Sequence, residues 1–173
     1  MNNEYPLIHQ LVKELSAACY YEIVSAKTLD QIGVAGEDIK LPYIATGSSA
    51  GADFYTPVPI DLNPGEEMTV PTGIKAHQAP FVYLQIVPKS GLGFKYYTRL
   101  ANTVGIVDGD YYDNPSNEGC IFVKIRNEGD KPLHIEKGKA FCQGIFSLYI
   151  PDRDYFNREH ERRLGGFGST EEK

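Results

Sequence analysis

Four short stretches of the sequence combine small residues with side chains that can take part in chemistry. They are rich in glycine, serine or aspartate and poor in bulky side chains: GSSAGADFY (47–55), PKSGLG (88–93), NTVGIVDGDY (102–111) and GGFGST (165–170). Exposed backbone N–H groups next to glycine, serine and a cation form concave sites that bind anions. Together these stretches predict a surface that suits a polyphosphate.

Two carboxylates in the third stretch are candidates for acid–base chemistry. Asp108 and Asp110 are separated by Gly109, so both side chains point to the same face if the segment 106–111 is extended. One carboxylate could then act as a base while the other holds the structure. Composition alone favours a polar turn here, because aspartate and glycine are common turn residues.

Two of the other stretches also have an ordinary interpretation. SGLG (90–93) directly follows an apolar segment and is typical of a hairpin turn. GGFGST is typical of a solvated chain end. Phe167 is the exception there, because a lone aromatic ring in a glycine-rich segment gains nothing unless it stacks on a partner.

The composition disfavours several classes of function. The chain has 173 residues, the size of one domain, and its 42% of hydrophobic residues make a packed core feasible. A net charge of −6 argues against nucleic acid or an anionic membrane as a partner. No apolar run approaches the ~20 residues of a membrane helix. The four histidines are scattered and the three cysteines form no C-x-x-C pair, so we expect neither a zinc site nor a disulfide framework.

The elements that must position these stretches are mostly strands. A helix is predicted over 7–19, where apolar residues form one stripe that we expect to pack on the body of the protein. From Tyr20 onward the period changes to two, and turn residues recur at short intervals. The predicted strands cover 21–25, 52–55, 68–70, 81–87, 121–126, 133–135 and 140–150. Short strands at this spacing favour a sandwich or barrel over alternating strands and helices.

The order of the motifs resembles that of the trimeric dUTP pyrophosphatase (dUTPase) family from about Tyr21 to Thr170. The five matching segments are ATGSSAGAD (45–53), PKSGLG (88–93), NTVGIVDGDY (102–111), KGKAFCQ (137–143) and RRLGGFGST (162–170). The resemblance implies an all-β, jelly-roll-like β-barrel of the dUTPase-like β-clip type over 21–150. It also implies a flexible C-terminal arm over 151–173 that closes over a neighbouring subunit's site in a homotrimer. The predicted N-terminal helical extension over 1–20 lies outside the family's usual core.

The resemblance further implies hydrolysis of dUTP to dUMP and pyrophosphate, which keeps uracil out of DNA and supplies dUMP for thymidylate synthesis. Asp108 matches the general base that orients water toward the α-phosphorus. Tyr111 matches the residue whose ring packs under the deoxyribose, and Asn102 matches the amide that binds the uracil edge. Mg²⁺ is implied as the cofactor, bound through substrate phosphates and water with no direct protein ligand.

Further site residues are implied by the same alignment of motifs. Asp53 and Asp110 match supporting positions, Asp53 near the metal's water shell or the trimer centre. The other residues that match nucleotide-binding positions are Lys89, Ser90, Gly91, Gly105, Val107, Gln143, Arg162, Phe167, Gly168, Ser169 and Thr170. Arg162 would face the γ-phosphate and Phe167 would stack on uracil. The buried thiols expected in apolar runs and the missing secretory signal predict a cytoplasmic location.

Several residues depart from the family's pattern, and two other functions stay open. Lys89 stands in place of an arginine, and Tyr112 stands in place of the family's usual arginine or glutamine. The segment 113–118 is inserted after Tyr112. Lys139, Ala140 and Arg163 also differ. The alternatives are a dCTP deaminase-like enzyme of the same fold, which would need a glutamate near the pyrimidine, and a dUTP-sensing regulatory protein in which the inserted segment serves a partner.

Overall fold

The computed structural model describes residues 5–160, and strands dominate them. The strands are β1 (Tyr20–Ile23), β2 (Ala52–Tyr55), β3 (Ile60–Leu62), β4 (Glu67–Pro71), β5 (Ile74–His77), β6 (Val82–Pro88), β7 (Thr98–Leu100), β8 (Gly105–Val107), β9 (Phe122–Asn127), β10 (Leu133–Ile135) and β11 (Ala140–Leu148). The α-helices are α1 (Pro6–Ala17), α2 (Ala26–Ile32) and α3 (Ser90–Tyr96). The predicted all-β character is confirmed, and all seven predicted strands are present.

All strand pairs in the described residues are antiparallel, and they form four sheets. The largest has the order β2–β11–β6–β8, and a second has the order β4–β9–β7. Two smaller sheets pair β1 with β5 and β3 with β10. Most neighbours in a sheet are distant in sequence, which is the connectivity of a jelly-roll-like fold.

Alternating burial along the strands explains how the sequence forms this core. In β6 the side chains of Val82, Leu84 and Ile86 are buried, and the residues between them are partly exposed. The core is continued by Phe54 of β2 and Phe141 of β11, both fully buried. Burying each such side chain contributes about 1.5–3 kcal/mol, so the apolar period of two determines which face of each strand turns inward.

The short helix α2 covers one side of the sheets and was not predicted. Ser25 caps it by accepting a hydrogen bond from the amide of Thr28, and Gly33 ends it with a φ of 69°. Leu29 of this helix packs beside Val24 and Cys120. The predicted strand 21–25 stops at Ile23 because Ser25 begins the helix instead.

The N-terminal helix forms where it was predicted, but its packing prediction is wrong for the described chain. No residue of α1 is buried, and Leu7, Ile8 and Leu11 are 81%, 60% and 52% exposed. Only the C-terminal end approaches the sheets, where Leu15 is half-buried and the carbonyl of Ala18 contacts His77 Nδ1 at 2.7 Å. The short link from α1 to β1 directs the rest of the apolar stripe away from the core. No helix among residues 5–160 has the length and apolar character to cross a membrane.

The beginning of the predicted C-terminal arm lies against the body of the protein. Tyr155 and Phe156 pack edge-on against Phe81, with ring centroids 6.0 and 5.9 Å away. All three cysteines are free thiols, and Cys120 and Cys142 are buried as predicted for residues in apolar runs. Burial raises the pKa of the Cys120 thiol to about 11 and that of Cys142 well above its usual value.

Phe54 provides a test of how much the core contributes to stability. Its ring is fully buried and meets Tyr21 edge-on at 5.4 Å. We expect Phe54→Ala to lower the free energy of unfolding by about 3–5 kcal/mol because it removes the ring and leaves a cavity. Phe54→Leu, which keeps most of the volume, should cost less than about 1.5 kcal/mol. Urea unfolding at fixed protein concentration measures both, and equal losses for the two variants would contradict this account of the core.

Candidate active site

A cavity of about 350 Å³ lies beside β8 and the loop 101–104 that precedes it. Its size is in the range of small-molecule sites. Four residues that match nucleotide-binding positions line it: Asn102, Gly105, Val107 and Tyr111. Most of the remaining wall is apolar, from Ile86, Leu100, Ile121 and Val123 among others. The structure therefore brings together the residues of the third motif around one apolar cavity with a polar rim.

The loop 101–104 between β7 and β8 carries Asn102, and β8 lies along one wall of the cavity. Asn102 is exposed in a tight turn, in which the amide of Thr103 donates to the carbonyl of Leu100 at 2.9 Å. β8 pairs with β6, with Gly105 opposite Ile86. A Cβ at Gly105 would stand 3.2 Å from Cβ of Ile86, so glycine permits this close approach.

The carboxylates of the third motif lie at a turn, which is what composition alone favoured. β8 ends at Val107, and Gly109–Tyr111 forms a single 3₁₀ turn in which the amide of Tyr111 donates to the carbonyl of Asp108 at 3.1 Å. The segment 106–111 is therefore not extended throughout, and the condition under which Asp108 and Asp110 would share one face is not met. The turn is stabilised because it buries the Tyr111 ring in the core. Asp108 and Asp110 remain exposed at the edge of the cavity wall.

Tyr111 is held from behind by hydrogen bonds. Its side chain is buried, and its hydroxyl donates to the carbonyl of Cys120 at 2.9 Å. The Asn117 amide donates to the same hydroxyl oxygen at 2.7 Å, and the Asn114 amide donates to the Tyr111 carbonyl at 2.8 Å. The sequence analysis noted the inserted segment but assigned no role to these asparagines. The signal was the pattern N-P-S-N, since asparagine side chains in turns often bind nearby backbone groups.

The inserted segment is anchored to the rest of the chain by a buried cation. Lys75 of β5, whose side chain is 11% exposed, binds Asp113 at 2.5 Å and Glu118 at 3.1 Å. The Glu118 carboxylate also accepts hydrogen bonds from the amide of Ser25 and the hydroxyl of Thr28. Burial alone would raise the pKa of Glu118, but the hydrogen bonds from Ser25, Thr28 and Lys75 outweigh it and lower the pKa to about 2.

A second group of predicted residues meets on the other side of β6. Lys89 Nζ lies 2.7 Å from both carboxylate oxygens of Asp53, so the substitution of arginine by lysine still gives an ion pair between the first and second motifs. Gln143 of the fourth motif stands opposite Asp53 in the sheet. The Gln143 side chain lies against Gly51, where a Cβ would stand 2.5 Å from Oε1.

The second motif forms a helix rather than the hairpin turn that its composition favoured. α3 begins at Ser90, and Ser90 and Gly91 are exposed in its first turn. The first amides of a helix have no acceptor within it. Ser90 and Gly91 therefore present backbone donors next to the Lys89–Asp53 pair.

β6 separates the two groups of predicted residues. It pairs with β8 on one side and with β11 on the other. The third motif therefore lies on one flank of β6, and the first and fourth motifs lie on the other flank, on β2 and β11. The second motif begins at Pro88, the last residue of β6, and continues into α3. Arg162, Phe167, Gly168, Ser169 and Thr170 of the fifth motif lie outside the described residues. Among residues 5–160, no three His, Cys, Asp or Glu side chains are grouped so that they could hold a metal ion.

Comparisons with known proteins agree with the order of these motifs. The dUTPase family model matches residues 37–171. A deoxyuridine 5'-triphosphate nucleotidohydrolase of Lactococcus lactis subsp. lactis is 39% identical over 132 residues, which cover 76% of this chain and 88% of the relative. The relative of the same name from Shewanella pealeana is 37% identical over 142 residues, covering 78% and 89%.

Solved structures show the same fold. The crystal structure of dUTPase from Streptococcus mutans matches with a TM-score of 0.65 and 31% identity, covering 77% of this chain and 98% of that one. The dUTPase from phage phi11 of S. aureus matches with a TM-score of 0.60 and 14% identity, covering 78% and 92%. The fold and the cavity define a small-molecule-binding β-protein of jelly-roll type. By the family model and these relatives, the chain belongs to the dUTPase family.

The anchor of the inserted segment predicts a specific dependence of stability on pH. Because the pKa of Glu118 is lowered on folding, its contribution is present above its ordinary pKa of 4.5 and is lost as the pH falls toward about 2. Glu118→Gln should therefore cost about 1–3 kcal/mol of unfolding free energy near neutral pH.

Urea unfolding of both proteins between neutral and acidic pH checks this expectation. The difference between wild type and Glu118→Gln should shrink as the pH falls below 4.5. Glu37→Gln, at an exposed carboxylate, is the matched control and should change stability by less than about 0.5 kcal/mol. A difference that stays constant over this pH range would show that the charge of Glu118 does not stabilise the fold.

Proposed function

We propose that this protein is a dUTP diphosphatase, which hydrolyses dUTP to dUMP and pyrophosphate. The observation that carries the proposal is the cavity lined by Asn102, Gly105, Val107 and Tyr111, with Asp108 directly after β8. The names of the relatives and the family model support the same substrate.

The uracil would bind to β8 and the loop 101–104. β8 is at the edge of its sheet in the described chain, and an edge strand exposes backbone donors and acceptors. The Asn102 amide carries both a donor and an acceptor. Together, the backbone of Gly105 and Val107 and the side chain of Asn102 can pair with the polar edge of a pyrimidine.

The deoxyribose would pack on the Tyr111 ring. This ring forms part of the cavity wall and is buried in its position. An aromatic face that is fixed against the sugar leaves no room for a 2′-hydroxyl. Selection of deoxyribonucleotides would therefore be a steric property of this wall.

Hydrolysis would use Asp108 as the general base. Its carboxylate would accept a proton from a water molecule, whose oxygen forms a bond to the α-phosphorus. The bond from the α-phosphorus to the bridging oxygen breaks, and pyrophosphate leaves. The exposure of Asp108 at the cavity edge supports access of both water and substrate.

The phosphates would be bound by the second group of residues. Lys89, Ser90, Gly91 and Gln143 offer a cation, backbone amides and a side-chain amide, although Lys89 already pairs with Asp53. Because none of these four residues lines the cavity, we propose that one chain supplies β8 and the loop 101–104, which bind the base, and that a second chain supplies the phosphate-binding residues in a homotrimer. The C-terminal arm with Arg162, Phe167, Gly168, Ser169 and Thr170 would close over the site and exclude water.

Mg²⁺ is the proposed cofactor. A triphosphate substrate suits this ion, since Mg²⁺ prefers oxygen ligands and usually keeps several waters while it binds substrate phosphates. Asp53, both of whose carboxylate oxygens lie 2.7 Å from Lys89 Nζ, would support the metal's water shell or the trimer centre rather than bind the ion directly. When bound, the ion neutralises phosphate charge. A related solved structure is a point mutant of the dUTPase from phage phi11 of S. aureus, described with the coordination of a structural Mg(II) ion.

The three free thiols support the predicted cytoplasmic location.

A nucleotide panel with pyrophosphate detection tests the substrate and the base. We expect pyrophosphate from dUTP but not from dTTP or UTP. Asp108→Asn should lower kcat by about 100-fold or more because the base is removed, with dUTP binding retained. Asp130→Asn, at an exposed turn residue, is the control and should keep wild-type turnover.

Three outcomes would contradict the proposal. Full turnover of Asp108→Asn would show that another group is the base. Ammonia release from dCTP would favour the deaminase-like alternative. Tight binding of dUTP by the wild type without turnover would favour a regulatory protein.

Removal of the metal is a separate test. A chelator should reduce pyrophosphate release from dUTP strongly, and added Mg²⁺ should restore it, because the triphosphate charge is no longer neutralised without the ion. Added Ca²⁺, a larger cation, serves as the comparison. Undiminished turnover after exhaustive chelation would exclude Mg²⁺ as a required cofactor.

A further inference from the structure

Asn117, the next-to-last residue of the inserted segment, has a side chain that is hydrogen-bonded through both its nitrogen and its oxygen. The Asn117 amide nitrogen donates to the Tyr111 hydroxyl at 2.7 Å and to the Cys120 carbonyl at 3.3 Å. Its amide oxygen accepts from Asn114 Nδ2 at 2.7 Å and from the amide of Gly119 at 3.1 Å. All of these partners belong to the 3₁₀ turn or to the inserted segment and the residues that follow it, so Asn117 has little freedom to move.

The Tyr111 hydroxyl is bound in two directions as a result. It donates to the Cys120 carbonyl at 2.9 Å while it accepts from Asn117. Burial alone fixes a ring against solvent but permits it to slide along its long axis. The two hydrogen bonds at the tip of the ring prevent this movement.

We propose that Asn117 is a positioning residue that sets the depth of the Tyr111 ring in the cavity wall and thereby the discrimination between deoxyribose and ribose. This inference rests on the proposed function and adds a residue outside the motifs to it. A 2′-hydroxyl adds one oxygen atom, so a ring displacement of about 1 Å decides whether it fits. Asn117 acts through Tyr111 and does not line the cavity itself.

The anchor of the inserted segment makes this positioning effective. Lys75 binds both Asp113 and Glu118, the two ends of the segment. Glu118 is in turn bound to Ser25 at the start of α2. Since the segment is attached to β5 and α2, it does not move with the Tyr111 ring, and the Asn117 amide is a fixed reference point for the hydroxyl.

The test compares kcat/KM for dUTP and for UTP in single and double variants. Asn117→Ala should lower the ratio of the two values by about tenfold or more, mainly because UTP turnover rises. Asn117→Asp keeps the oxygen that accepts from Asn114 and Gly119. It places a second carboxylate oxygen against the Cys120 carbonyl, where Asn117 has its donor. Because two acceptors repel each other, the hydroxyl of Tyr111 should lose its present position and the ratio should fall. Ser116→Ala is the matched control, because the Ser116 hydroxyl binds only Asn114 among the bonds of the described chain, and its ratio should equal that of the wild type.

A Tyr111→Phe background separates positioning from a general structural effect. In that background the hydroxyl is absent, so Asn117→Ala should leave the ratio unchanged within about twofold. A ratio that is unchanged by Asn117→Ala and Asn117→Asp in the Tyr111 protein would overturn the inference. So would an equal fall of both kcat/KM values, which is the signature of a merely structural role.

The proposed function and this inference fail in different ways. If the wild type releases no pyrophosphate from dUTP, the proposed function fails, and the ratio is then measured as the calorimetric Kd for UTP over that for dUTP. A loss of this binding preference in Asn117→Ala supports the positioning role without turnover, and an unchanged preference overturns it.

Discussion

The buried ammonium group of Lys75 is the interaction on which the rest of the site depends. Removing a charge from water is costly unless it is paired, and here Asp113 and Glu118 pair with it while Tyr112 lies beneath it at 4.9 Å. Burial tends to lower the pKa of Lys75, but the hydrogen bonds to both carboxylates outweigh it and raise the pKa. The cation stays charged, and it joins β5, the start of α2 and the inserted segment behind the cavity.

The largest sheet imposes a second constraint, which concerns the distance between the motifs. β6 lies between β8 and β11, so Gly105 and Val107 on β8 are separated from Gln143 on β11 by one strand, and from Asp53 on β2 by one strand more. Neighbouring strands are about 4.8 Å apart, so β8 and β11 are separated by about 10 Å. The cavity beside β8 is accordingly lined by residues of the third motif and by none of Lys89, Ser90, Gly91 or Gln143.

The sequence predicted the long, regular elements and the grouping of the third motif, and it failed where a few local bonds outweigh periodicity. β6 alternates between buried and partly exposed side chains from Val82 to Val87, which makes its period clear. β11 is nine residues long and apolar, but it has adjacent buried residues at Phe141 and Cys142, where its register shifts. β3 and β7 have three residues each, too few for a period, and α2 depends on a serine cap. The turn at Gly109–Tyr111 depends on the burial of the Tyr111 ring and on the hydrogen bonds of its hydroxyl to Cys120 and Asn117. These partners lie outside the third motif, so the motif alone does not predict the turn. The family resemblance located Tyr111, but only coordinates show what holds it.

The different environments of the three thiols have a practical consequence for covalent chemistry. Thiolates, not thiols, react with electrophiles, and Cys120 and Cys142 are both buried and held protonated by their raised pKa values. Cys19 is only half-buried, at the junction between α1 and β1. A mild alkylating dye therefore has one accessible attachment point in the folded chain, and it lies next to the helix whose apolar stripe is exposed. Cys19 can therefore serve as a labelling site next to that helix, and the other two cysteines need not be replaced first.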